Sequence, residues 1–169
     1  MRYRTSLGVR SILVTAFVTL IVMSLTSLFL YLIITVKSVG SQIASGSFVL
    51  CSLAMYGMLF IYRPTGYILE NQRLIVTRIK GNVVIPLHGV YDAFIIRKGA
   101  IGSLEKIGGN GGCFGFFGDF NTVFGVVTFY ATRLDKLIIL YTKTHGKIVL
   151  SPDDLGLIEL INKRVQMMS

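Results

Sequence analysis

The sequence predicts a mainly β member of the α+β class: a two-helix apolar hairpin, then a seven-stranded roll or partly open barrel closed by one C-terminal helix. Three observations predict it. Residues 11–36 and 43–62 contain no Asp, Glu, Lys, Arg or His. After Arg63 the chain breaks into short runs rich in β-branched residues, separated by turn signals such as Gly81-Asn82. Near the end, Ser151-Pro152-Asp153-Asp154 introduces a single amphipathic run.

The first run, SILVTAFVTLIVMSLTSLFLYLIITV, is long enough to cross a bilayer. At about 1.5 Å per residue it makes a helix of roughly 39 Å, against a hydrocarbon core of about 30 Å. A cleaved signal peptide would share the basic start MRYR, but its apolar region is about half as long. The second run carries the small residues Ala44, Ser52, Ala54 and Gly57, which allow close helix approach. Three Arg precede the first run, one Lys lies in the turn 37–42, and Arg63, Arg73, Arg78 and Lys80 follow the second. That distribution predicts both termini in the cytoplasm. The chain divides into a transmembrane hairpin, residues 1–63, and a cytoplasmic domain, residues 64–169.

Seven strands are expected in that domain. Residues 67–70 and 73–79 flank the turn Asn71-Gln72, and residues 83–87 follow Gly81-Asn82. Pro86 assigns this third strand to an edge or a strand end. Residues 90–97 are the fourth, and residues 98–121 read as a long irregular stretch. Residues 123–132 are the fifth, and the nearly continuous apolar run 136–142 is a central sixth. Residues 147–150 are the seventh. Ser151 then reads as a helix N-cap and Pro152 as the first helical residue, with both Asp at the positive end of the dipole. Leu155, Ile158, Ile161 and Val165 give one apolar face, and Lys163 and Arg164 fall near the negative end.

Three pieces of this pattern carry a resemblance: Ile85-Pro86-Leu87, the run from Gly109 to Gly118, and Leu150 to Asp154. Together with the order of elements, they resemble the bacterial pleckstrin-homology (PH)-like domains attached to membrane hairpins, over roughly residues 66–164. The resemblance implies a PH-like roll on a bacterial inner membrane. It further implies a noncatalytic platform for protein interaction or self-assembly, with no cofactor and no small-molecule substrate.

Composition narrows the classes. The net charge is +9 and 53% of residues are apolar, the latter explained by the two spans. Thirteen of the 17 Lys and Arg and all eight acids follow residue 62. The domain's small positive excess is too scattered for nucleic acid. No HExxH, GxSxG or CxxC occurs, and neither His88 nor His145 has a ligand at metal spacing. An accessory subunit of a membrane enzyme or transport system is the alternative. It is disfavoured because the only ionisable side chains in the spans are Cys51, Tyr31, Tyr56 and Tyr62. Cys51 and Cys113 read as free thiols, because a disulfide would have to join span to domain.

The most unusual stretch is Gly108 to Gly118, with six Gly and three Phe in eleven residues. It fits neither a dinucleotide nor a P-loop register. Two readings stand: a hairpin or tight crossover whose glycines permit positive φ while its Phe side chains fill the core, or an apolar lip (Cys113, Phe114, Phe116, Phe117 and Phe120) that contacts bilayer or partner. Arg63, Arg73, Arg78, Lys80, Lys98 and Lys106 form the candidate lipid-facing set, giving weak anionic-lipid sensing as a further alternative. The first hairpin turn, Glu70-Asn71-Gln72-Arg73, lacks the basic cluster that the resemblance associates with phosphoinositide binding.

Overall fold

A computed structural model describes residues 1–36, 38–97 and 99–167; Lys37 and Lys98 lie outside the described residues. The elements are β1 (Arg2–Arg4), α1 (Val9–Thr35), α2 (Val39–Ile61), β2 (Pro64–Leu69), β3 (Arg73–Arg78), β4 (Val83–Pro86), a 3-10 turn (Leu87–Gly89), β5 (Val90–Ile96), β6 (Glu105–Gly112), β7 (Gly115–Thr122), β8 (Gly125–Ala131), β9 (Leu137–Thr142), β10 (Gly146–Leu150) and α3 (Leu157–Gln166). Both α1 and α2 are long and apolar enough to cross a membrane.

The strands form two sheets, ordered β1-β2-β3-β4 and β5-β9-β10-β8-β7-β6. Neighbours run antiparallel except β8 with β10. The mainly β roll with its C-terminal helix is as expected, and each of the seven expected strands is present. Three more appear. Residues 2–4, read with the hairpin, pair along β2. The stretch read as irregular contains the hairpin β6–β7, and the reason is physical. Glycine has low strand propensity, yet here it permits a pairing that other residues would block. Gly109 and Gly118 face each other at φ +103° and +109°, and a Cβ on either would collide with the opposite backbone.

Two cores lie on opposite faces of the six-stranded sheet. Alternation along β9 divides them: Ile138 and Leu140 face α3 and the four-stranded sheet, whereas Leu137 and Ile139 join Phe116, Phe120 and Phe129. A strand buried on both faces explains the continuous apolar run from Leu137 to Leu140. Leu157, Ile158 and Ile161 bury one face of α3 against the first core.

The start of α3 differs from expectation. The helix begins at Leu157, with Gly156 before it and no side-chain cap. Ser151 is fully buried, and its Oγ accepts the Thr132 N–H at 2.8 Å. Asp153 Oδ1 accepts both the N–H and the O–H of Ser6. The acceptors read as caps are therefore used across the fold, fastening the segment before α1 to the ends of β8 and β10.

Candidate functional site at the helix-proximal end

Only Tyr62 and Arg63 separate α2 from β2, so the domain has one end against the helices. The strand registers place the other features. Arg78 lies opposite Pro64, and the Lys80 N–H donates to the Ile61 carbonyl, so the β3–β4 turn is helix-proximal. The β2–β3 turn is at the far end of the strands, roughly 20 Å away at about 3.3 Å per residue. There Met1 donates its amino group to the Leu69 carbonyl, and Glu70 pairs with Arg73. A cleft of about 770 Å³ opens at this distal end, lined in part by Glu70, Arg73, His88 and Arg164.

The tip of the β6–β7 hairpin meets the helices. Phe114 adopts φ +58°, rare for a residue with a side chain. Asn110, itself buried, holds the turn by donating to the carbonyls of Cys113 and Gly115. The Phe114 N–H donates to Thr15 Oγ1 in α1 at 2.7 Å. Its ring meets Tyr56 and Phe60 of α2, each edge-on at 5.3 Å between centroids, and the Arg63 guanidinium lies 5.8 Å from its centre. Tyr56 in turn shares a 2.6 Å hydrogen bond with Thr19. The strained backbone thus directs one aromatic side chain between the two helices.

This geometry sorts the residues singled out in the sequence. Phe116 and Phe120 are buried in the second core, with only 2% of their surface exposed. Cys113 and Phe114 are also buried, and Phe117 is half-buried. The first reading, in its hairpin form, therefore describes Phe116 and Phe120, while Phe114 makes a contact, but with this chain's own helices. Burial raises the Cys113 thiol pKa, against a smaller lowering by Thr15, so the neutral thiol is favoured. Both cysteines are free.

The basic set divides in the same way. Arg63, Arg78 and Lys80 are helix-proximal and belong together. Arg73 is at the distal turn, and Lys106 lies near the distal start of β6, opposite Phe120. Lys98 is outside the described residues. Arg10, in the first turn of α1, joins the proximal group and lies over Phe116 at 5.9 Å. The hairpin reading brings Arg10 back to the side of Arg63, although the two are more than fifty residues apart; its seat over Phe116 has no sign in the sequence. Arg133 is also proximal, but it is engaged by Asp135 and Asp153. Among the described residues no three His, Cys, Asp or Glu side chains gather as a metal site.

Residues 65–165 match the family model described as bacterial PH domain. No curated protein and no solved structure matches the chain.

Proposed function

The chain belongs to the bacterial PH domain family, and from that premise we propose that it is a noncatalytic, membrane-tethered module for protein interaction or self-assembly. In this reading α1 and α2 span a bacterial inner membrane, and both termini and the domain lie on the cytoplasmic side. Almost none of either helix is buried by the rest of the chain, as suits helices surrounded by lipid rather than by a core. The cations gathered at the helix-proximal end agree with the cytoplasmic orientation.

The observation that carries the reading is the seat of Phe114. The Gly/Phe tip is occupied by the chain's own helices, so a partner meets the domain elsewhere. The open edge of β4 is the surface proposed. It borders the four-stranded sheet, and Val84 is exposed there. Since the Leu87 N–H points back to Gln72, alternation turns the Val84 N–H outward, while Pro86 offers none. A short strand can therefore add beside Val84. Val84→Lys is expected to abolish a cross-linked partner or oligomer of the full chain in membranes while leaving its melting midpoint unchanged. Retention of the complex by the variant would overturn the edge as the contact surface.

A further inference from the structure

We propose that the helix-proximal face is a dock for anionic phospholipid, built from Arg10, Arg63, Arg78 and Lys80 and separate from the first-hairpin turn. The proposal rests on the membrane-spanning reading of α1 and α2. None of these four cations has a carboxylate partner among the described residues; the ion pairs there use Arg73 and Arg133. Instead each is held against an aromatic ring. Arg63 lies 4.4 Å from the centre of Phe60, Arg10 lies 5.9 Å from that of Phe116, and Arg78 and Lys80 each lie 5.8 Å from that of Tyr62. Arg78 also donates through Nε to the Gly81 carbonyl, which fixes it further and leaves its charge intact. A ring positions a cation without neutralising it, so its charge and remaining donors are available to an anion.

The four also share a level. Arg63 follows α2 by two residues, and Arg10 is the second residue of α1. Arg78 and Lys80 are tied to the same level by the pairing with Pro64 and the bond to Ile61. With the helices in a bilayer, this level is that of the headgroups, and Tyr62 sits where interfacial aromatics belong. Asp135 and Asp153 are taken by Arg133, and Asp119, whose charge reaches Tyr130 as that of Arg78 does, accepts from Thr128. The face is therefore positive, fixed and turned to lipid phosphate. Complementary charge selects the phosphodiester of an anionic lipid; a soluble acidic protein would first have to displace the bilayer.

The full chain, reconstituted in nanodiscs of mixed phosphatidylcholine and phosphatidylglycerol and then extracted into detergent, is analysed by native mass spectrometry for retained lipid. The wild type is expected to retain phosphatidylglycerol preferentially. Lys80→Gln is expected to lower that preference by about fivefold, and Arg78→Gln with Lys80→Gln by more. Arg73→Gln with Lys106→Gln, at the distal end, is expected to leave it unchanged. Lys80 is exposed, so its variant keeps the test valid if the double variant does not fold. Equal retention of both lipids, or equal losses for proximal and distal variants, would overturn the dock while leaving the membrane tether standing. Failure of the chain to enter nanodiscs would overturn both. Inorganic phosphate alone is expected not to raise the melting midpoint in detergent; a rise matching that from phosphatidylglycerol would overturn the lipid assignment.

Discussion

The two ends of the domain use similar residues in different ways. At the distal end, Arg73 is paired with Glu70, and Arg164 donates to the Glu70 carbonyl beside an open cleft. At the helix-proximal end, Arg63, Arg78 and Lys80 lie on aromatic rings, and Phe114 is inserted between the helices. Distal Arg73 is compensated by a carboxylate, whereas Arg63, Arg78 and Lys80 have no carboxylate partner among the described residues and retain their field. The difference teaches that a cation's role follows from its neighbours more than from its count. An overall excess of positive charge becomes informative only once the fold has sorted it by level.

The proximal end should be much less tolerant of change. Phe116→Asp puts an unpaired carboxylate in the second core and is expected to cost at least about 4 kcal/mol, abolishing cooperative unfolding of the full chain in detergent. Phe114→Ala empties the seat between Tyr56 and Phe60 and is expected to cost about 3 kcal/mol. At the distal end, exposed His88→Ala should change stability by no more than about 0.5 kcal/mol. If Phe114→Ala is as mild as His88→Ala, the tip does not hold the domain to the helices.

Ser151→Ala gives a smaller effect at the same end. It leaves the buried Thr132 N–H without its acceptor and is expected to cost about 1–3 kcal/mol in denaturant unfolding. Acid has the mildest influence. For Asp135, the hydrogen bonds from Arg133 outweigh burial and lower its pKa below the ordinary 3.8. For Asp153, burial opposes the charge, but bonds from Ser6 and Arg133 prevail and lower it too. Groups with depressed folded-state pKa values contribute stability above the unfolded value and lose it as pH falls through the folded one. The midpoint should therefore decline below about pH 3.8 in part through these two groups. Asp135→Asn with Asp153→Asn should flatten that part of the decline.

Much of the architecture was legible because its causes are local. The uncharged runs in α1 and α2, the apolar strand β9 and the apolar face of α3 each announce their surroundings by spacing alone. The β6–β7 hairpin was legible only as one of two forms, a hairpin or a crossover with glycines at positive φ; its strand bounds were not, since the Gly109–Gly118 pairing depends on backbone approach between strands rather than on side-chain preference. Ser151 and Asp153 misled for a related reason. A capping residue and a residue that bonds across the fold present the same acceptors in sequence, and here Thr132 and Ser6 compete successfully for them. Of the site, Arg63, Arg78 and Lys80 could be read from their closeness to α2. The two-span reading also put Arg10 on their side of the membrane, but only folding shows that it lies over Phe116, beside the β6–β7 hairpin. Thr15 left one trace, a hydroxyl in an apolar span.

The central claim is that the β3–β4 turn meets the membrane while the first-hairpin turn points away from it. The chain contains no tryptophan, so one can be introduced as a sole depth probe. Ile79, exposed at the proximal turn, and His88, exposed at the distal end, are suitable positions. In vesicles containing brominated lipid, Ile79→Trp is expected to be strongly quenched and His88→Trp nearly unquenched, given roughly 20 Å of strand between the two ends. Equal quenching at the two positions, or stronger quenching at position 88, would contradict the account.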